Sequence, residues 1–461
     1  MKNKTSTTLF LAAGLLLLAG MIAPIALADE GVWGAELTNP SFLYRLGPEV
    51  QISTTSTPLD AHRHLPAVVH NWNHKEYLVV WHNEWPGGGR DIYAQRVSEN
   101  GTKIGSWFCI TTGAKDRIQP ALAYSATDDE YLVVWMQEDD TRPGVYNIRG
   151  RIIAWNGGYM RPEFTIITWT DRTFWTPRVA WNSIHNEYMV VWNAFDTSGG
   201  LPGTPRDITG ARVTNQDGGK VIDTNMLAFP SDGGPHQVDI AYNVARDEYL
   251  IVCVIVHTEA SSGNDIYGRR VAANGSPLTW IEIYKDDFDG GRKHQNAPAV
   301  ATNEQDKYMV VWEHQYSTTD HDIFARKYNA DGNPDGNSFT ISSWTQDDTV
   351  PAIAANGSSK EWLTVWQRAI SGGAGGYSIH GWRWGWDGGV PSYYLDVVDW
   401  TFYECTAPAV AADIPGYLIV YEELSPPGKT SASRTTNYQH IYGRMWWPEA
   451  AYLPLALRNK S

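Results

Sequence analysis

Glu76-Tyr77-Leu78-Val79-Val80-Trp81 returns as Glu130 to Trp135, and again as Glu187 to Trp192 with Met189 in the leucine place. Blurred copies follow at Glu248 to Cys253, Lys307 to Trp312, Glu361 to Trp366 and Gly416 to Tyr421, so the chain carries seven copies of one unit. Equivalent positions 66, 120, 177, 238, 298, 351 and 408 set a period of 53 to 61 residues. That is too long for a helical-hairpin solenoid and suits a four-stranded propeller blade.

Each unit opens on a short apolar segment, such as Pro66-Ala-Val-Val, Pro298-Ala-Val-Ala or Pro408-Ala-Val-Ala, called strand a here. Its small and β-branched residues suit the crowded centre of a ring. A polar turn leads to strand b, the Tyr-Leu-Val-Val-Trp run, whose two apolar faces require neighbouring blades on both sides. The strand-b tryptophans 81, 135, 192, 312 and 366 are therefore read as inter-blade core rather than a binding stripe.

Strand c reads Asp91-Ile-Tyr-Ala-Gln-Arg96, with kin at Asp207, Asp265 and Asp322. Its opening aspartate is expected to cap a turn or to pair with an arginine. The fourth position is always small (Ala94, Gly150, Gly210, Gly268, Ala325, Gly381, Gly443), and the strand-b aromatic of the next blade is expected to pack over it. Asn100-Gly101, Asn156-Gly157, Asn274-Gly275 and Asp331-Gly332 then mark tight hairpins into strand d, as in Phe164-Thr-Ile166.

The seventh unit ends after strand c at Trp446-Trp447-Pro448, whereas Glu49-Val-Gln-Ile-Ser53 matches a strand d with no blade before it. Joined, they complete one blade and remove two exposed sheet edges. The expected fold is all-β: a seven-bladed β-propeller of four-stranded antiparallel blades, closed by an N-terminal strand that completes blade 7. Over roughly residues 48–446 the chain resembles secreted bacterial seven-bladed β-propeller repeat proteins. That resemblance implies a fold and leaves activity open.

Residues 1–28 read as a secretory signal peptide, with Lys2 and Lys4 before an apolar run and Ala26-Leu-Ala28 before Asp29. A linker over 29–47, the propeller over 48–447 and a tail over 448–461 complete the expected organisation. Within the tail, Tyr452 to Arg458 looks like short C-terminal tails on exported proteins of some filamentous bacteria. No later segment reaches the ~18 continuous apolar residues of a membrane helix. The net charge is −15, and −17 once the two leader lysines are removed, which argues against nucleic acid as a partner. Three cysteines do not make a disulfide framework, and Cys109, Cys253 and Cys405 are expected as free thiols in a monomer.

Loop length separates the two faces of the disc. The a–b and c–d turns are short and alike, while the b–c and d–a connections vary, and both of those emerge on one face. A constant framework with divergent loops on one side is how a scaffold carries a site. There the expected binding residues are Glu84, Trp85, Trp175, Glu313, His314, Trp400 and Glu422. Flat rings beside carboxylates suit sugars, so carbohydrate is the favoured ligand, with an extracellular protein partner as the other candidate. Packing of those rings beneath long loops is the competing reading.

No Gly-x-Ser-x-Gly, His-Glu-x-x-His or phosphate loop is present, and strand c does not match the Ser-x-Asp-x-Gly-x-Thr-Trp box of sialidases. A glycoside hydrolase or lyase needs only dispersed carboxylates, for which Glu84, Glu138, Glu313 and Glu422 would serve. A structural cell-surface component is the third alternative. No cofactor or metal is expected. Asp331-Gly-Asn-Pro-Asp335-Gly imitates a calcium loop but has Ser342 at its twelfth place, and His62 and His64 lack a third ligand.

Overall fold

The computed structural model describes residues 44–53, 62–85, 88–158, 160–198, 204–215, 219–229, 234–256, 263–285, 293–303, 305–370, 376–386, 393–398, 404–413, 416–425 and 438–448. The expected leader, most of the linker, the tail beyond Pro448, and Trp400 lie outside them. All regular structure among the described residues is strand. It forms seven antiparallel sheets, each built on the order a-b-c-d. Blade 1, for example, is His62–Asn71, Glu76–Glu84, Arg90–Ser98 and Lys103–Cys109. The innermost strands touch in a closed cycle, in which Glu404–Ala412 of blade 7 meets His62–Asn71 of blade 1.

Seven hydrophobic clusters lie between adjacent blades rather than inside them. Strand b supplies both walls, because alternate residues of an apolar run face opposite neighbours. Trp81, Trp135, Trp192, Trp312 and Trp366 are buried, as their periodicity required. Burying each contributes about 1.5–3 kcal/mol. Cys109, Cys253 and Cys405 are free.

Blade 7 takes its outer pairing from the N-terminal side. Val50–Gln51 and Tyr44–Leu46 both pair antiparallel with Tyr438–Pro448, Val50 opposite Gly443 and Leu46 opposite Trp446. The small position of strand c corrects the expectation of a strand-b aromatic from the next blade. A Cβ on Gly150 would meet Phe164 at 2.9 Å, one on Gly268 would meet Ile283 at 3.0 Å, and one on Gly443 would meet Ile52 at 2.7 Å. In these three blades a side chain of the outer strand of the same blade leans back over strand c, Ile52 doing in blade 7 what Ile283 does in blade 4, whereas Gly381 of blade 6 is met by Thr364 and Val365 of its own strand b.

Every strand a carries a β-bulge, which the sequence reading did not anticipate. Register slips between His64 and Ala67, Ile118 and Ala121, Trp175 and Arg178, His236 and Asp239, Asn296 and Ala299, Thr349 and Ala352, and Thr406 and Ala409. One residue in each slip has positive φ: Leu65, Gln119, Thr176, Gln237, Ala297, Val350 and Ala407, all between 45° and 53°. Six of these precede proline. A non-glycine residue there costs about 1–3 kcal/mol unless its surroundings hold it. The neighbouring blade does the holding.

Candidate functional site

Five of these strained backbone N–H groups donate to a side chain of the preceding blade. Leu65 donates to Glu422 Oε1 at 2.6 Å, Val350 to Glu313 Oε1 at 2.6 Å and Ala407 to Gln367 Oε1 at 3.0 Å. Thr176 donates to Gln119 Oε1 at 3.2 Å and Ala297 to Gln237 Oε1 at 2.7 Å. A bulge turns one amide out of the ladder, and an amide left alone in a crowded ring would lose its partner. Glu313, Gln367 and Glu422 stand at one repeat position, directly after the strand-b aromatic. The framework therefore has a packing reason for two of the glutamates expected to bind ligand.

The bulge ring rims a cavity of about 510 Å³ whose walls include Leu65, Gln119, Val350, Ala407, Gln367 and Glu422. His64, His82, Glu84 and Arg90 complete its polar lining. His64 Nδ1 lies 3.4 Å from Glu422 Oε2, and its Nε2 lies 3.9 Å from Glu84 Oε2. The His82 ring stands 5.3 Å from that of His64. Burial, then the charges of His64 and Arg90, lowers the His82 imidazole to about 3, so it is neutral at physiological pH. Arg90 bridges Glu84 at 3.1 Å and Asp116 at 2.7 Å.

Glu422 is only 4% exposed, and its second oxygen accepts from Gln439 Nε2 at 2.5 Å. With both oxygens receiving hydrogen bonds, it suits a fixed acceptor rather than an acid that must give up a proton. Glu84, whose side chain is 43% exposed, is the accessible carboxylate of the mouth.

The other expected residues fall elsewhere. Glu84, Glu313, His314 and Glu422 lie on strands, because strand b runs past its aromatic into what reads as loop. His314 is buried against Tyr284, Tyr316 and Phe324, with Nδ1 2.9 Å from Gln295 Oε1. Burial raises the Glu313 carboxyl above its ordinary range. Trp175 is half-buried on strand a against Phe195, its Nε1 donating to Thr173 Oγ1 at 3.2 Å. Trp85 packs edge-on to Tyr93 at 5.9 Å. Neither tryptophan lines the cavity.

Arg90, Gln367 and His82 were missing from the expected set. The first opens strand c and the others directly follow strand-b aromatics, in the same variable b–c segments as the expected residues, and only the ring geometry brings them together. Exposed rings on this face among the described residues include Trp169, Tyr316 and Trp344, capped by Arg172, Lys293 and Arg368 at 5.0, 5.0 and 4.9 Å.

Two further constellations turn out to be structural. Ser378 Oγ is 2.7 Å from His380 Nε2, and His380 Nδ1 is 2.9 Å from Asp396 Oδ1, the spacing of a serine-nucleophile triad. Ser378 and His380 are buried, however, the Tyr394 hydroxyl sits 2.6 Å from the same Nδ1, and the mouth cavity does not reach them. They extend the blade-6 network in which Arg368 grips the buried Asp348 at 2.6 and 3.0 Å. In the calcium-like hairpin, Asp335 is held by Lys307 at 2.5 Å and Lys327 at 3.4 Å, so two ammonium groups already engage its carboxylate.

No family model and no curated protein matches this sequence. Among solved structures, a protein of unknown function from Dyadobacter fermentans DSM 18053 is similar at 12% identity and a TM-score of 0.51, over 88% of this chain and 99% of its own. The NanB sialidase from Streptococcus pneumoniae is similar at 10% identity and 0.46, over 89% and 71%. A GH93 α-L-arabinofuranosidase of Fusarium graminearum is similar at 10% and 0.44, over 87% and 97%. The likeness to the Dyadobacter protein shows shared architecture alone, and function has to be argued from the site.

Proposed function

We propose that the chain is an exported β-propeller that binds carbohydrate at the mouth of its central channel. The supporting observation is the cavity of about 510 Å³ on which His64, His82, Glu84 and Arg90 of blade 1 converge with Gln367 of blade 6 and Glu422 of blade 7. Its volume lies in the range of small-ligand sites, about 300–1,000 Å³, and a few convergent polar groups on a partly apolar wall are their usual lining. Carboxylate, guanidinium and carboxamide offer paired donors and acceptors to vicinal hydroxyls, while Leu65, Ile118 and Val350 give apolar surface to C–H faces. Glu84 and Arg90 offset each other's charge, which suits a neutral polyhydroxylated ligand better than a strongly anionic one.

Binding rather than hydrolysis is favoured because Glu422, the buried carboxylate of the cavity lining, is engaged at both oxygens in holding Leu65 and Gln439. The test is a glycan array probed with residues 29–461, followed by overnight incubation of each hit and analysis for shortened or unsaturated products. Retention of intact neutral glycans supports this reading. Cleavage products would replace it with the hydrolase or lyase alternative, and a blank array would remove carbohydrate altogether.

A further inference from the structure

On the opposite face, where the last blade meets the first, three side chains converge that no part of the mouth uses. His70 lies near the end of strand a in blade 1, Glu99 in the c–d turn of the same blade, and Asp413 directly after strand a of blade 7. His70 Nε2 is 3.0 Å from Asp413 Oδ1 and 3.5 Å from Glu99 Oε1. One ligand atom from each residue falls within 4.8 Å of the other two. Donors bound to a common cation at about 2.0–2.2 Å sit roughly 3–3.5 Å apart, which is the closer spacing seen here.

Two buried groups aimed at this point make it more than a cluster of acids. The His70 side chain is 3% exposed, yet neither ring nitrogen has a hydrogen-bond partner. Nε2 approaches Asp413 closely without the alignment of a donated proton, as ligand atoms do when both face a third body. An imidazolium ion pair would instead point its N–H along that line. The Tyr77 hydroxyl is also buried without a partner. Its ring meets that of His70 edge-on at 4.9 Å.

The repeat shows what is special about this junction. Asn71 of blade 1 donates from Nδ2 to the Tyr131 hydroxyl of blade 2 at 3.0 Å. The same place holds Asn182, Asn243, Asn303 and Asn356 in blades 3 to 6, and Ser125 in blade 2. Only blade 7 has a carboxylate there, and only blade 1, which faces it, follows strand a's Pro-Ala-Val-Val with histidine.

We propose that His70, Glu99 and Asp413 bind one divalent transition-metal ion of the zinc class, clipping blade 7 to blade 1. One imidazole with two carboxylates suits such an ion, with water in the remaining position. Because the ligands come from blades at opposite ends of the repeat array, binding stabilises the closed ring by mass action.

The test uses the tag-free chain 29–461, stripped with chelator and titrated with Zn²⁺ by calorimetry and with Co²⁺ by visible absorption. One equivalent should bind, and excess Zn²⁺ should raise Tm by several degrees. Asp413→Asn installs the residue found in five other blades and so preserves the fold; it should weaken binding by about 10–100-fold and remove the rise in Tm. Glu99→Gln, in a hairpin turn, should act in the same direction. Failure of the stripped protein to bind Zn²⁺ below about 100 μM would overturn the assignment. So would Zn²⁺ binding as tight as the wild type's in both Asp413→Asn and Glu99→Gln.

Discussion

The carboxylate of Glu422 in the last blade accepts a hydrogen bond from the backbone N–H of Leu65 in the first, at 2.6 Å. Leu65 has a φ of 50°, and its amide is turned out of the sheet ladder by the bulge. Removing this charged, buried acceptor leaves both Leu65 N–H and Gln439 Nε2 without it, so Glu422→Ala should cost about 1–3 kcal/mol in urea unfolding. Glu422→Gln keeps a carbonyl acceptor and should cost less. Glu84→Ala, at the exposed end of the mouth, should leave stability within about 0.5 kcal/mol. Equal losses for Glu422→Ala and Glu84→Ala would contradict the anchoring role.

Aromatic residues divide by burial rather than by whether they lie in the repeat. Trp135→Ala should destabilise by roughly 3–5 kcal/mol. Trp85 and Trp175 pack on Tyr93 and Phe195, so their alanine variants should lose about 1–3 kcal/mol, and not the negligible amount that free loop residues would lose. Trp169 and Trp344 are 47% and 54% exposed, and their replacement should be nearly neutral. Chemical denaturation of the five variants checks the order.

Stability should fall on acidification. Burial holds the His440 imidazole at about 4, with Arg63 and His62 adding to the effect, and His82 at about 3. Both titrate near 6.5 in the unfolded chain. Below that pH the unfolded state takes up protons that the folded state refuses, so stability present above 6.5 is lost progressively as pH falls towards 4. Asp322 acts in the opposite sense, because burial and then Asp320 raise its folded carboxyl to about 7; its contribution is present at low pH and lost as pH rises to 7. Melting curves from pH 4 to 7.5 should therefore be shallower in His82→Gln and steeper in Asp322→Asn. Three superimposable profiles would refute both assignments.

Residues 44–53 give blade 7 its outer pairing and place Ile52 over Gly443. A chain beginning at 54 should lose several kcal/mol and aggregate through the bared edge of Tyr438–Pro448, whereas one beginning at 44 should melt like the chain beginning at 29. Equal melting temperatures for the two truncations would show that these strands do not hold the ring.

The architecture was legible because Glu-Tyr-Leu-Val-Val-Trp fixes strand b, and Asn-Gly and Asp-Gly pairs fix the c–d hairpins, where Gly101, Gly157, Gly275 and Gly332 indeed have positive φ. The bulges were not, since a residue before proline is ordinarily extended and nothing local marks Leu65 or Ala407 as left-handed. The site was only half legible for the same reason. Glu313 and Glu422 vary from blade to blade, which reads as freedom from the framework, yet each serves a bulge in the next blade. Glu84 was found because its position is both variable and exposed. Arg90 escaped because it is neither aromatic, acidic nor imidazole, the side-chain types that mark candidates in the variable segments.

The most direct test of the mouth as a carbohydrate site is calorimetric titration of the strongest array glycan into three proteins: wild type, Arg90→Ala, and Trp72→Ala, which alters an exposed ring in the a–b turn of blade 1. The expected result is a one-to-one complex that Arg90→Ala weakens by at least about tenfold, a loss of roughly 1.4 kcal/mol, with Trp72→Ala unchanged. Binding that survives Arg90→Ala and is lost in Trp72→Ala would place the ligand on the other face and contradict the account.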